Sequence, residues 1–190
     1  MGESVNKARL LTGTARAAIA GQLDLAAEKV DTDAIKWLQE PGASFVTLYL
    51  HGALRGCIGS LETYRPLVED VRANAVAAAF HDHRFAPLTA DEFANVQIEV
   101  SVLSSLEAMH ARNENIALSK LRPGIDGVVF KFGLYKATFL PQVWTQLPDP
   151  KAFLGQLKVK AGLSADFWHP EVLLYKYQVN KYREQERSKE

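Results

Sequence analysis

The sequence predicts an α+β fold, a mainly antiparallel sheet flanked by helices, and three observations lead there. Residues 97–103 alternate strictly, with Ile98, Val100 and Val102 on one side and Gln97, Glu99 and Ser101 on the other, the period of a half-buried strand. Phe45 to Leu50 and Leu54 to Ser60 flank His51-Gly52 as the arms of a hairpin flank their turn. Strand-like segments also outnumber the crossover helices that a parallel sheet requires.

The other elements follow in order. Ser4 caps a first helix running to about Ala20, with Val5, Ala8, Leu11, Ala15 and Ala18 at helical spacing, and Gly21 breaks it. A short helix from about Asp33 to Gln39 stops at Pro41-Gly42. The clearest helix spans Pro66 to Phe80: proline suits a first helical turn, and Leu67, Val71, Ala75 and Ala78 form one apolar stripe. Thr89 to Phe93 reads as a capped helical turn. Val128 to Phe132 and Leu134 to Leu140 pair around Gly133, and Pro141 ends the second. A helix from about Asp149 to Ala161 and a strand from about Val172 to Val179 follow, with the charged Lys181 to Glu190 expected to fray.

The length of 190 residues suits one domain, residues 1–190, with room for a main body and a smaller lobe. Lys plus Arg and Asp plus Glu both number 22, so the net charge is zero. This argues against a nucleic-acid binder or a polybasic membrane adaptor. The single cysteine excludes an intrachain disulfide. The first residues lack a signal-peptide core, and no run approaches the roughly 18 apolar residues of a membrane span, so the cytoplasm is the expected location. Gly2 invites myristoylation, but Asn6 stands where that motif wants Ser or Thr.

Leu54-Arg55-Gly56-Cys57-Ile58-Gly59 is the most informative segment. Gly56 and Gly59 permit close backbone approach or a bulge. A thiol between them can stand at a surface, with Arg55 near enough in sequence to favour its ionised form. Equally, Cys57 can be a small buried hydrophobe in a glycine-packed strand. Glu99 and Ser101 share the polar side of their strand and either meet water or line a site in which Glu99 is a general base. His81-Asp82-His83-Arg84 follows a helix end, where His-x-His places its rings apart, and no metal site is assigned. There is no phosphate loop, dinucleotide fingerprint, Cys-x-x-Cys or Gly-x-Ser-x-Gly, so no cofactor is implied.

The hexapeptide resembles the AMMECR domain family, whose prokaryotic members are called AmmeMemoRadiSam system protein A. Phe45-Val46-Thr47-Leu48, Ala78-Ala79-Phe80, Asp82, Arg84-Phe85, Pro87-Leu88-Thr89 and Ile98 to Leu103 extend the likeness. Gly124, Asp126-Gly127, Leu140-Pro141-Gln142-Val143, Phe153-Leu154, Lys160 to Leu163 and Trp168 carry it toward residue 180. The resemblance implies a larger lobe around an antiparallel sheet, a smaller lobe built from terminal segments, and a cleft between them. His83 departs from the Pro that prokaryotic relatives usually carry. Asp82 and Arg84 match the family pattern, and a mutual or cross-lobe ion pair is their expected role. Gln142 and Trp168 can close the other wall of the cleft, and Trp168 is equally well explained as a hydrophobic anchor for its loop. The family name implies Memo-like and radical SAM proteins as partners. Two functions stay open: binding or modification of a small substrate at Cys57, assisted by Glu99 or His81, or a non-catalytic interaction module.

Overall fold

The computed structural model describes residues 2–28 and 30–184, with side chains from Asn6 onward. In chain order the first elements are α1 (Gly2–Gln22), α2 (Lys36–Gln39), β1 (Ser44–Leu50), β2 (Ala53–Gly59) and α3 (Leu67–Phe80). Then come α4 (Ala90–Asn95), β3 (Val96–Leu103), β4 (Glu107–Met109) and α5 (Glu114–Lys120). The last are β5 (Gly127–Phe132), β6 (Tyr135–Phe139), a 3-10 turn (Pro141–Thr145), α6 (Pro150–Lys160), β7 (Leu173–Tyr177) and β8 (Val179–Arg183). The fold is α+β, but with two four-stranded sheets, ordered β2-β1-β3-β8 and β4-β7-β5-β6. The chain divides into two compact units, Met1–Leu103 with Asn180–Glu190, and Ser104–Val179. The smaller unit is therefore internal, not terminal as expected: α1 and β8 both complete the larger one, because their partners are α3 and β3.

In the larger unit, Val46, Leu48, Ile98 and Val100 point from one face of the sheet into a core shared with Leu11, Ala15 and Ile19 of α1 and Val71, Ala75 and Ala78 of α3. The small residues of α3 bring its backbone against the sheet. A β-carbon at Gly56 would overlap the Ala78 carbonyl, so glycine is required by packing there. The hairpin turn places His51 at φ 52° and Gly52 at φ 81°, the left-handed pair that matches strand twist. α1 runs through Gly21 and stops at Asp24 (φ 54°), where the Leu25 N–H reaches the Ala20 carbonyl at 3.0 Å. The expected helix from Asp33 shrinks to α2 because Thr32 to Ile35 form a hydrogen-bonded turn.

At the open end of the hairpin lies a buried polar cluster. Asp70, wholly buried on α3, accepts from the Ser44 N–H (2.8 Å) and hydroxyl (2.7 Å), Asn74 (2.8 Å), Ser60 (2.8 Å) and Arg65 (2.9 Å). This joins the start of β1, the residue after β2 and the first turns of α3.

In the smaller unit, Val128, Phe130 and Leu174 pack against Phe153, Leu154 and Leu157 of α6. Trp144 stacks on Phe153 at 3.7 Å between centroids and donates its indole N–H to the Asp126 carbonyl at 2.7 Å. Lys158, wholly buried, donates to Glu114 at 2.6 Å and to the Phe167 carbonyl at 3.1 Å.

The tail corrects another expectation. Residues 179–183 form a strand where fraying was predicted, and Lys181 and Arg183 pair with Glu99. A hidden acidic partner on β3 holds what isolated sequence reads as a solvated charge run. Residues 185–190 of that run lie outside the described residues.

Candidate functional site

The register of the hairpin decides where the thiol sits. A regular pairing from the Leu50–Ala53 end would set Cys57 opposite Val46, on the core face. Instead the ladder shifts between Leu48 and Tyr49: Tyr49 pairs with Leu54, Leu48 with Gly56, and Thr47 with Cys57. Arg55 is the extra residue of a β-bulge, and one residue of shift moves a side chain to the opposite face. Cys57 consequently stands half-buried on the face away from the helices.

Thr47 is also paired with Glu99, so Cys57, Thr47 and Glu99 form one row across β2, β1 and β3. The next row holds Gly59, Phe45 and Ser101. The Phe45 ring lies over Gly59, in the space that a β-carbon would occupy. Within the first row the Thr47 hydroxyl and the Cys57 sulfur are 3.2 Å apart. Glu99 is two strand spacings from Cys57, about 10 Å, beyond direct proton transfer. It is 4% exposed, and Arg183 donates to its Oε2 at 2.7 and 3.1 Å while Lys181 stands 3.6 Å from its Oε1. Arg183 also lies over the Tyr49 ring at 5.1 Å. Among the described residues the side-chain partners of Glu99 are Arg183 and Lys181, and the hydroxyl partner of Cys57 is Thr47.

β2 is an edge strand, and the outward main-chain groups of Cys57 need partners other than a strand. Asp82 accepts the Cys57 N–H at 2.9 Å, and Arg84 donates to the Cys57 carbonyl at 3.3 Å. Arg84 binds both Asp82 oxygens, at 2.9 and 2.6 Å. Those bonds hold the Asp82 carboxyl well below the ordinary carboxylate range, with burial opposing and the Cys57 N–H assisting. The same bonds to Asp82 raise the pKa of the Arg84 guanidinium.

Arg55 was expected to act on the thiol. The bulge turns it to Glu92, which it binds through Nε and Nη2, each at 2.9 Å, with a further bond to the Ala86 carbonyl. Glu92 also closes the capping box of α4 with Thr89, and these bonds push its carboxyl down to about 2, Arg55 being the largest cause. The guanidinium that reaches Cys57 is therefore that of Arg84, through the Cys57 carbonyl. His81 and His83 are exposed after the end of α3. Gln142 is exposed in the 3-10 turn of the smaller unit. Among the described residues no three His, Cys, Asp or Glu side chains gather as a metal site. No described helix is long and apolar enough to cross a membrane.

Sequence reasoning missed Thr47, Lys181, Arg183 and Glu92. The Thr89-x-x-Glu92 spacing is a capping signature that marks Glu92. Thr47 required the bulge, and Lys181 and Arg183 required the β8 strand, neither of which local pattern reveals.

A family model described as AMMECR1 matches residues 12–182. Protein MJ0810 of Methanocaldococcus jannaschii is 35% identical over 151 residues, 77% of this chain and 75% of that one. A protein of Aeropyrum pernix is 37% identical over 169 residues, 83% of this chain and 71% of its own length. The crystal structure of the uncharacterized protein PH0010 from Pyrococcus horikoshii shares the fold with a TM-score of 0.74 and 33% identity, covering 92% of this chain and 90% of that one. With the match spanning both units and the bulged cysteine strand, the chain belongs to the AMMECR1 family.

Proposed function

We propose that the polar sheet face around Cys57 binds or modifies a small substrate, in a pathway shared with Memo-like and radical SAM proteins. The observation that carries this reading is the β-bulge, which brings a half-buried thiol onto the polar face where a regular hairpin would bury it. Glycines at 56 and 59 keep the strand close to α3 and under Phe45. Asp82 and Arg84 fix its edge, and Arg55 pins the bulge to Glu92. Glu99 and Ser101, with Arg183 and Lys181, supply polar contacts along the same face. A cytoplasmic setting belongs to the proposal, since a lone thiol stays reduced there.

One observation favours a second reading, a non-catalytic interaction module. Among the described residues the thiol's hydrogen-bonding side chain is Thr47, a hydroxyl and not a base. The two readings separate in one experiment. The native chain and Cys57→Ser are each incubated with the two partner proteins and their substrates, and intact masses are read. An adduct on the native chain, missing from Cys57→Ser, supports the thiol reading. Complex formation by both chains with no mass change supports the module.

A further inference from the structure

We infer that Thr47 is the positioning residue that tunes the Cys57 thiol, an inference resting on the proposed reactivity of Cys57. Its hydroxyl is 3.2 Å from the sulfur, and the ladder fixes it there: Thr47 pairs with Cys57 on one side and with Glu99 on the other. At 8% exposure it has little water to exchange its bond with. The central strand of the row holds its backbone on both edges, so the hydroxyl cannot drift away with a mobile loop. As donor, a hydroxyl stabilises a thiolate more than a thiol, because a bond to a charged acceptor is the stronger one. β-branching restricts χ1 and keeps the hydroxyl on the sulfur with small entropic loss.

Glu99 contributes nothing to this directly, being committed to Arg183 and Lys181. Arg84 and Asp82 act on the Cys57 main chain. The hydroxyl is the group that touches the reacting atom.

The test is the pH dependence of alkylation by iodoacetamide on the folded chain, for wild type, Thr47→Val and Thr47→Ser. Valine keeps the shape and removes the donor; serine restores it. Thr47→Val is expected to react about tenfold more slowly near neutral pH, the worth of one charge-assisted hydrogen bond. Its profile should move to higher pH and meet wild type where both thiols are fully ionised, a convergence that altered packing would not produce. Thr47→Ser should follow wild type. If Thr47→Val unfolds, judged by its thermal transition, Thr47→Ala takes its place with the same expectation. A wild-type profile for the donor-less variant, or a Thr47→Ser profile as slow as Thr47→Val, overturns the role of Thr47 alone. A wild-type thiol that reacts only on unfolding overturns the reading of Cys57 itself.

Discussion

Strand β2 holds polar groups in opposite conditions only three residues apart, near its C-terminal end. At Ser60, just past its end, the hydroxyl enters a closed cluster in which wholly buried Asp70 meets donors from β1, α3 and Arg65. At Cys57, three residues earlier, the main chain is fully engaged, while the sulfur meets the Thr47 hydroxyl and the residue is half-buried. A buried polar group whose partners are complete fixes structure, and one left open at a surface is available for chemistry. The same short segment therefore anchors the fold at Ser60 and leaves a half-buried thiol residue on the sheet face at Cys57.

The contrast makes distinct demands on substitutions. The largest effect belongs to Asp70→Ala, which strands the Ser44 N–H, Asn74 and Arg65 without their acceptor. A loss of about 3–5 kcal/mol is expected in denaturant unfolding, while native-state labelling of Cys57 in the folded fraction stays as in wild type. A matching change in that labelling would show the two positions to be coupled. Gly56→Ala comes next, since backbone of α3 blocks the β-carbon; a loss of about 1–3 kcal/mol is expected from overpacking. Gly59→Ala should cost less, because what it meets is the Phe45 ring and not main chain.

Glu92→Gln is milder still, about 1 kcal/mol for a partly exposed pair with a capping role. Its signature is pH. The folded carboxyl lies at about 2 against an ordinary 4.5. Its contribution is therefore present above about 4.5 and is lost as pH falls toward 2. Wild type should lose its advantage over Glu92→Gln across that window, read from denaturant midpoints; a difference constant with pH contradicts the assignment. Lys181→Ala is the smallest expected effect, under about 1 kcal/mol, because Arg183 keeps Glu99 paired.

Much of this fold is legible in the sequence because apolar periodicity records which side is buried. β3 puts Ile98 and Val100 in the core as read, although Glu99 and Ser101 on its other side are buried as well, and β1, α3 and α6 lie within a residue or so of their expected bounds. What pattern could not supply is long-range. β4 has three residues and α5 seven, too short for a period to declare itself, although Asn113 caps α5 as an N-cap residue should. β8 reads as a solvated tail because its partner Glu99 lies some eighty residues earlier. The Asp70 cluster is silent because its members are scattered polar residues. For the candidate site, Cys57, Glu99 and Ser101 could be placed on strands, but their relation hung on one bulged residue. Arg55 looked like the thiol's neighbour by sequence, and the bulge gave that proximity to Glu92.

The contrast between half-buried Cys57 and the closed cluster around Asp70 is tested by measuring iodoacetamide labelling of Cys57 across sub-denaturing concentrations of urea, where the chain remains folded. An open thiol reacts from the native state, so its rate should stay nearly flat until the unfolding transition begins. A thiol that reacts only through unfolding would instead accelerate throughout that range, with a slope matching the equilibrium m-value, and that result would contradict the account.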